Sequence, residues 1–266
     1  MPAYRCPVCT SALVADLAGF ECVNRHRFDR AREGYVNLLP GGRLKGRPAG
    51  DSDAMVRARR TAFDADLYRP VVDAVAAGVA DTGARAVLDC GCGEGAYLAA
   101  ASARGGADGW GIDVSKPAVK LAARRHQGLH FAVASSYALP FDDGVFGAVL
   151  SVFSPRPLAE MMRVLGPGGS AIVVTPGADH LHQLKSLIYD EPRAHAAPTD
   201  VADSDWPGPD ELGEVRFDID LDEPSLRTAL LEMTPFWWST PPARQRVVEE
   251  QARTVTVDMR LAIYHC

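Results

Sequence analysis

Two groups of residues in this chain have the types and spacing of chemical sites. The first, Cys6-x2-Cys9-x12-Cys22-x3-His26, offers three thiols and one imidazole. Thiolate and imidazole are the ligands of tetrahedral zinc, and four of them leave no position for water, which makes such a site structural. His26 lies between Arg25 and Arg27 and reads either as the fourth ligand or as part of a basic surface. Unliganded core cysteines would leave the Cys-Pro-Val-Cys spacing unexplained. The second group is the run Val87-Leu88-Asp89-Cys90-Gly91-Cys92-Gly93-Glu94-Gly95. Its glycines let backbone approach a ligand closely. A pyrophosphate loop needs Gly-x-Gly-x-x-Gly, whereas this run is Gly91-x-Gly93-x-Gly95 behind an acid, which suits a cationic or zwitterionic ligand. Asp113 follows at the end of the next apolar segment, where a carboxylate can accept both hydroxyls of a ribose.

These residues need elements to hold them, and the apolar pattern supplies an alternating series. Strands are expected at 86–90, 109–113, 129–134, 146–152 and 170–175, and helices at 95–104, 115–125, 157–165 and 179–189. Alternation of this kind implies an α/β fold with a doubly wound sheet, which binds ligands beyond the carboxyl ends of its strands. Ahead of it, Met55, Val56, Ala62, Phe63, Leu67, Val71, Val72, Val75 and Val79 have helical spacing. Residues 1–39 read as a small zinc-binding module whose apolar pieces are too short to build a core without metal. Residues 40–53 read as a linker rich in Gly, Pro and Arg, and 54–266 as the α/β domain. In the last third, 227–235 reads as helix and 253–264 as a closing strand.

Composition narrows the classes. With 47% hydrophobic and 23% charged residues in 266, the chain can bury a substantial core, so disorder is not the default expectation. No apolar run approaches the length of a membrane span and the first residues have no signal-peptide character, so a cytosolic protein is expected. Six cysteines at 6, 9, 22, 90, 92 and 266 do not form the framework of a secreted disulfide protein. The net charge is −6, but residues 1–65 carry 11 Lys/Arg against 7 Asp/Glu. A basic segment on an acidic body is compatible with steering an RNA. Arg43, Lys45, Arg47, Arg57, Arg59 and Arg60 are the candidate phosphate contacts. Trp237-Trp238 reads either as core or as a stacking platform.

The glycine run, Asp113, the segment Ala138-Leu139-Pro140-Phe141-Asp142 and the turn Arg163-Val164-Leu165-Gly166-Pro167-Gly168-Gly169 resemble the class I S-adenosylmethionine-dependent (SAM) methyltransferases, with their Rossmann-like sheet. Ser135-Ser136 stands where many members have an acid for the adenine amino group. The wider set Cys6-Pro7-x-Cys9, Cys22-x3-His26-x-Phe28-Asp29, Glu33-Gly34-Tyr35-Val36-Asn37-Leu38-Leu39, Gly50-Asp51-Ser52, Met55-x3-Arg59-Arg60, Thr175-Pro176-Gly177-x2-His180-Leu181 and Met233-Thr234-Pro235-Phe236 is similar to the RlmA family across nearly the whole chain. That resemblance implies methylation of a guanine N1 in a 23S rRNA hairpin lining the peptide exit tunnel. Some members confer resistance to tylosin-type macrolides. It further implies Zn2+ and S-adenosylmethionine as bound groups, a zinc module that grips RNA, and a homodimer with an RNA cleft. Tyr68, Asp89, Gly91, Gly93, Glu94, Gly95, Asp113 and His180 would contact the donor. His180, Glu94 and Asp179 are candidate bases for the N1 proton. Two other readings compete: a methyltransferase for a small molecule, which leaves the zinc module idle, and an RNA-binding protein without catalysis.

Overall fold

The computed structural model describes residues 2–39, 51–190 and 208–266. Three short antiparallel strands form the N-terminal ribbon: β1 (Leu13–Ala15), β2 (Gly19–Cys22) and β3 (Arg27–Asp29). β4 (Val36–Asn37) follows, and then helices α1 (Asp53–Asp64) and α2 (Arg69–Asp81). The alternating series is β5 (Ala86–Cys90), α3 (Ala96–Gly105), β6 (Asp108–Asp113), α4 (Lys116–Arg125), β7 (His130–Val133), β8 (Phe146–Val152), α5 (Leu158–Val164) and β9 (Leu165–Pro176). The chain continues through α6 (His182–Ile188), β10 (Glu211–Asp220), α7 (Pro224–Glu232), a 3-10 helix at Pro235–Ser239, α8 (Pro242–Gln251) and β11 (Thr254–His265).

Two compact units emerge. The first comprises the described residues of Met1–Ser52, Val75–Val173 and Ile263–Cys266. Its strands run in the order β9-β8-β5-β6-β7-β4, with β5 parallel to both β6 and β8 and β7 parallel to both β6 and β4. From β5 the chain builds outward through β6 and β7, then returns to place β8 on the other side. The carboxyl ends of β5 and β8 therefore flank the switch point, where such sheets bind ligands. β5 is buried along its whole length, and β8 is nearly so. Strands covered on both faces read as continuous apolar runs, which is why the sequence located both with the observed bounds.

The ribbon is part of this unit. Val36 and Asn37 pair in parallel with Ala132 and Val133 of β7, so the stretch that the sequence assigns to a separate 1–39 module also extends the main sheet. Tyr4 packs edge-on against Trp110 at 5.0 Å between ring centroids and lies 5.4 Å from Phe141. The Arg5 N–H donates to the Pro140 carbonyl at 2.8 Å, and its guanidinium pairs with Asp142. Leu13, Cys22, Val36 and Leu38 share one apolar core with Leu88, Ile112 and Val149.

The second unit comprises Asp53–Ala74 and the described residues of Val174–Ala262. It contains α1, α6, α7 and α8, with β10 beside β11. The helical reading of 53–80 resolves into α1 and α2. β9 starts at Leu165 rather than at 170, because the Gly166–Gly169 stretch read as a turn takes its place in the strand, with Gly168 alone at φ +74°. β10 and α8 were not anticipated. Trp237 is buried and Trp238 is half exposed, so the pair is not a single core feature.

Candidate donor and metal sites

At the metal cluster, the Cys6 and Cys22 Sγ atoms lie 3.5 and 3.4 Å from His26 Nδ1, and the Cys9 and Cys22 Sγ atoms are 3.6 Å apart. Zinc–sulfur bonds of 2.3 Å and zinc–nitrogen bonds near 2.0 Å in a tetrahedron require ligand separations of about 3.5 to 3.8 Å. A disulfide would bring two sulfurs to about 2.05 Å, so these thiols are spaced for a metal and not for one another. The donor set therefore fits zinc, with His26 placed to be its fourth member. The ribbon sets this geometry locally. Leu13 pairs with Cys22 across β1 and β2, while tight turns at Thr10 and Arg25, both at positive φ, fold the backbone behind Cys6 and Cys22. Hydrogen bonds from Asn24 and Ser11 hold the Cys9 thiol down near 5, which favours the thiolate that a metal needs.

The glycine run forms the turn from β5 into α3. Gly91, Gly93 and Gly95 have φ of +83°, +54° and +84°. A Cβ at Gly91 would also stand 2.4 Å from the Ser154 Cβ, so this position is closed to a side chain on two counts. Gly91→Ala is expected to cost about 1–3 kcal/mol and to weaken donor binding. Gly83, at φ +63° with open space around it, is the control: Gly83→Ala carries the strain without the contact. A thermal melt and a donor titration of both variants check this, and equal behaviour would show that the Ser154 contact is unimportant.

Asp89 is 1% exposed, and neither carboxylate oxygen has a hydrogen-bond partner among the described residues. Burial pushes its carboxyl up to about 8, and the charge of Asp113 adds to the effect. An unpartnered buried carboxylate beside a strained glycine turn is costly unless a ligand completes it. Asp113 closes the other side: its carboxylate accepts from the Gly93 N–H at 3.0 Å and the Ser115 N–H at 2.7 Å. Ser115 caps α4 by accepting from the Ala118 N–H, with a proline in the first helical turn. Glu94 is buried in the same turn. Asp89, Gly91, Gly93, Glu94, Gly95 and Asp113 are thus one cradle at the ends of β5 and β6, and its donors and acids fit the amino-acid and ribose groups of S-adenosylmethionine.

Tyr68 and His180 lie in the second unit, where both are buried. His180 follows a turn in which the Gly177 N–H donates to the Asp258 carbonyl and the Asp179 N–H to the Asp258 carboxylate. Arg216 pairs with Asp179 at 2.8 Å and holds its carboxyl below the usual range, which makes Asp179 a poor proton acceptor. Arg57 is exposed, and Arg60 pairs with Asp64. Arg43, Lys45 and Arg47 fall outside the described residues.

One residue escaped the sequence reading. Phe153, just past β8, has φ +54° and a ring 42% exposed. A left-handed aromatic residue is strained, and such strain gathers at functional sites. Next to it, the Ser154 Oγ donates to the Cys90 carbonyl at 2.5 Å, tying the end of β8 to the glycine turn. The signal in the sequence was an aromatic residue at the end of a buried strand, directly before Ser-Pro-Arg-Pro.

Comparison with known proteins agrees with both sites. A zinc-ribbon family model described as RlmA, N-terminal, matches residues 4–45, and a methyltransferase domain model matches 87–169. A relative from Micromonospora griseorubida, provisionally named a 23S rRNA (guanine-N1)-methyltransferase, is 36% identical over 99% of this chain and 97% of its own length. This chain belongs to the RlmA family. A second member, the 23S rRNA (guanine(748)-N(1))-methyltransferase of Streptomyces fradiae, is 42% identical over 69% of this chain and 67% of its own length. Among solved structures, the YcgJ protein of Bacillus subtilis superposes with a TM-score of 0.50 at 17% identity, covering 68% of this chain and 91% of that one, which shows the shared fold. RlmA membership makes the chain a methyltransferase with S-adenosylmethionine as donor, and its ribbon a zinc ribbon.

Proposed function

We propose that this protein methylates N1 of a guanine in a 23S rRNA hairpin lining the peptide exit tunnel. The observation that carries the reading is the union of an RlmA zinc ribbon and a methyltransferase sheet in one compact unit, joined by Tyr4, Arg5 and β4. A small-molecule methyltransferase has no use for a ribbon built so firmly onto its sheet. Among the described residues, no helix is long and apolar enough to cross a membrane. Within this reading the protein acts as a homodimer, and macrolide resistance would follow from the added methyl group.

The bound donor supplies a methyl group on a sulfonium. The donor would leave as S-adenosylhomocysteine, and the N1–H proton of guanine would pass to solvent water as the new N1–CH3 bond replaces it. Asp89, Asp113 and the glycine turn orient the cofactor, which fixes the direction of approach. N1 lies on the pairing edge, so the base must be unpaired and turned out to be reached. Phe153, exposed at the switch point, offers it a flat apolar face. Positioning of this kind supplies much of a methyl transfer's rate.

The test is primer extension on unmodified 23S rRNA after incubation with the protein and S-adenosylmethionine. A methyl on N1 blocks pairing, so a stop at one guanine of the tunnel hairpin is expected. Phe153→Ala should weaken that stop by at least about tenfold at unchanged donor affinity. No stop on rRNA, with donor binding intact, would refute the proposal.

A further inference from the structure

Outside the donor cradle, a concave feature lies between the ribbon and the α4–β7 edge of the sheet. It is a cleft of about 310 Å3 lined in part by Tyr4, Phe20, Arg30, Gln127, His130 and Phe131. That volume is at the small end of ligand pockets. Nothing in the methyltransferase mechanism uses it.

Three observations give the cleft a chemistry. Tyr4 is 4% exposed, and its buried hydroxyl has no hydrogen-bond partner among the described residues. A tyrosine in a core ordinarily finds a partner for its O–H, and leaving one unpaired carries a cost that a phenylalanine would avoid. Flat surfaces stand beside the Tyr4 ring, which lies 5.4 Å from the Phe20 ring and 5.0 Å from that of Trp110. The Arg30 guanidinium lies 4.9 Å from the centre of the Phe20 ring, and the His130 ring stacks on Trp110 at 4.1 Å and 21°. Finally, the mouth is polar, with three cations against two acids: Arg30, Gln127 and His130 are exposed, His130 pairs with Asp108, and Glu33 in the lining is held by Arg124 and Lys120 of α4.

Stacking planes, one unpaired donor and a basic rim are the means by which proteins hold an unstacked base of single-stranded RNA. Given that the substrate is an rRNA hairpin, we propose that this cleft receives one unpaired base of that hairpin, other than the methylated guanine, with the Tyr4 hydroxyl donating to an acceptor on its edge. The cleft then reads the hairpin loop while the donor cradle carries out the transfer. Specificity for one hairpin would arise from two bases held in two places on one unit.

The test uses the full chain, the variant Tyr4→Phe, and synthetic hairpins carrying a single abasic site at each unpaired nucleotide in turn. Tyr4→Phe keeps the ring contacts and removes only the hydroxyl. Its thermal midpoint is expected to equal or exceed that of the parent. It should nevertheless bind the intact hairpin about tenfold more weakly. The parent should lose about tenfold at one abasic position away from the target, and Tyr4→Phe should lose nothing further there. Arg30→Gln should weaken binding to every hairpin and flatten the salt dependence. The proposal is overturned if Tyr4→Phe binds all the hairpins as the parent does, or if its loss is the same at every abasic position. Methylation of the same hairpins separates the two readings: a parent that discriminates among abasic sites but leaves every guanine unmodified refutes the reaction assignment and keeps the cleft.

Discussion

Asp89→Asn is expected to stabilise the ligand-free protein at alkaline pH and to weaken S-adenosylmethionine binding. The Asp89 carboxyl has no partner among the described residues, and burial raises it from 3.8 to about 8. Below pH 3.8 the folded and unfolded chains both hold the proton, and folding is untaxed. Between 3.8 and 8 the unfolded chain alone gives it up, so stability falls as pH rises, and above 8 the loss is complete. Asparagine cannot ionise. The difference in unfolding free energy between variant and parent should therefore be small near pH 4 and grow to several kcal/mol by pH 8. Donor binding should move the other way. A cationic group beside Asp89 favours the carboxylate, so binding releases a proton and the parent's affinity should rise by up to about tenfold per pH unit from 6 to 8. The variant should bind weakly at every pH. Calorimetric titrations at pH 6, 7, 8 and 9 check both halves, and a parent affinity that is flat with pH and equal to the variant's would remove Asp89 from the site.

The legible parts of this protein share one property: their pattern is set by what they bury or bind. β5 and β8 lie between helices and read as unbroken apolar runs, so their bounds came out of the sequence directly. The metal cluster was equally plain, because ligand spacing is written in the chain. The missed elements are partly solvated. α8 has Val248 as its one buried residue, and a helix so polar has little apolar stripe to detect. β10 places a single residue, Ile219, in the buried class and alternates only weakly. β4 is two residues long, and its place in the main sheet depends on a partner almost a hundred residues away. The cradle acids were visible beside the glycines, while Phe153 was not, because its importance lies in a backbone angle and in its exposure at the end of a buried strand.

Stripping the zinc should unfold the ribbon while leaving the centre of the sheet intact. β1, β2 and β3 have three, four and three residues, too few to bury a core of their own. Structural zinc supplies about 10–16 kcal/mol in comparable small modules, more than the whole stability of many domains. The ribbon is not isolated, however. Tyr4 rests on Trp110 and Phe141, and β4 lengthens the sheet at β7, so loss of the metal must spread to that edge. β5 and β8 are held by their own helices and by each other. Chelation should release one zinc per chain. Amide exchange at Leu13 and Cys22 should then accelerate by at least about a thousandfold, that at Trp110 and Phe131 by less, and that at Leu88 and Val149 hardly at all. Cys22→Ser should reproduce the gradient without chelator. Unchanged exchange at Leu13 after confirmed metal loss would mean that packing on Trp110 holds the ribbon and that the zinc is dispensable. Uniform acceleration through Leu88 would mean that ribbon and sheet fold as one cooperative body, with the metal stabilising the donor cradle as well.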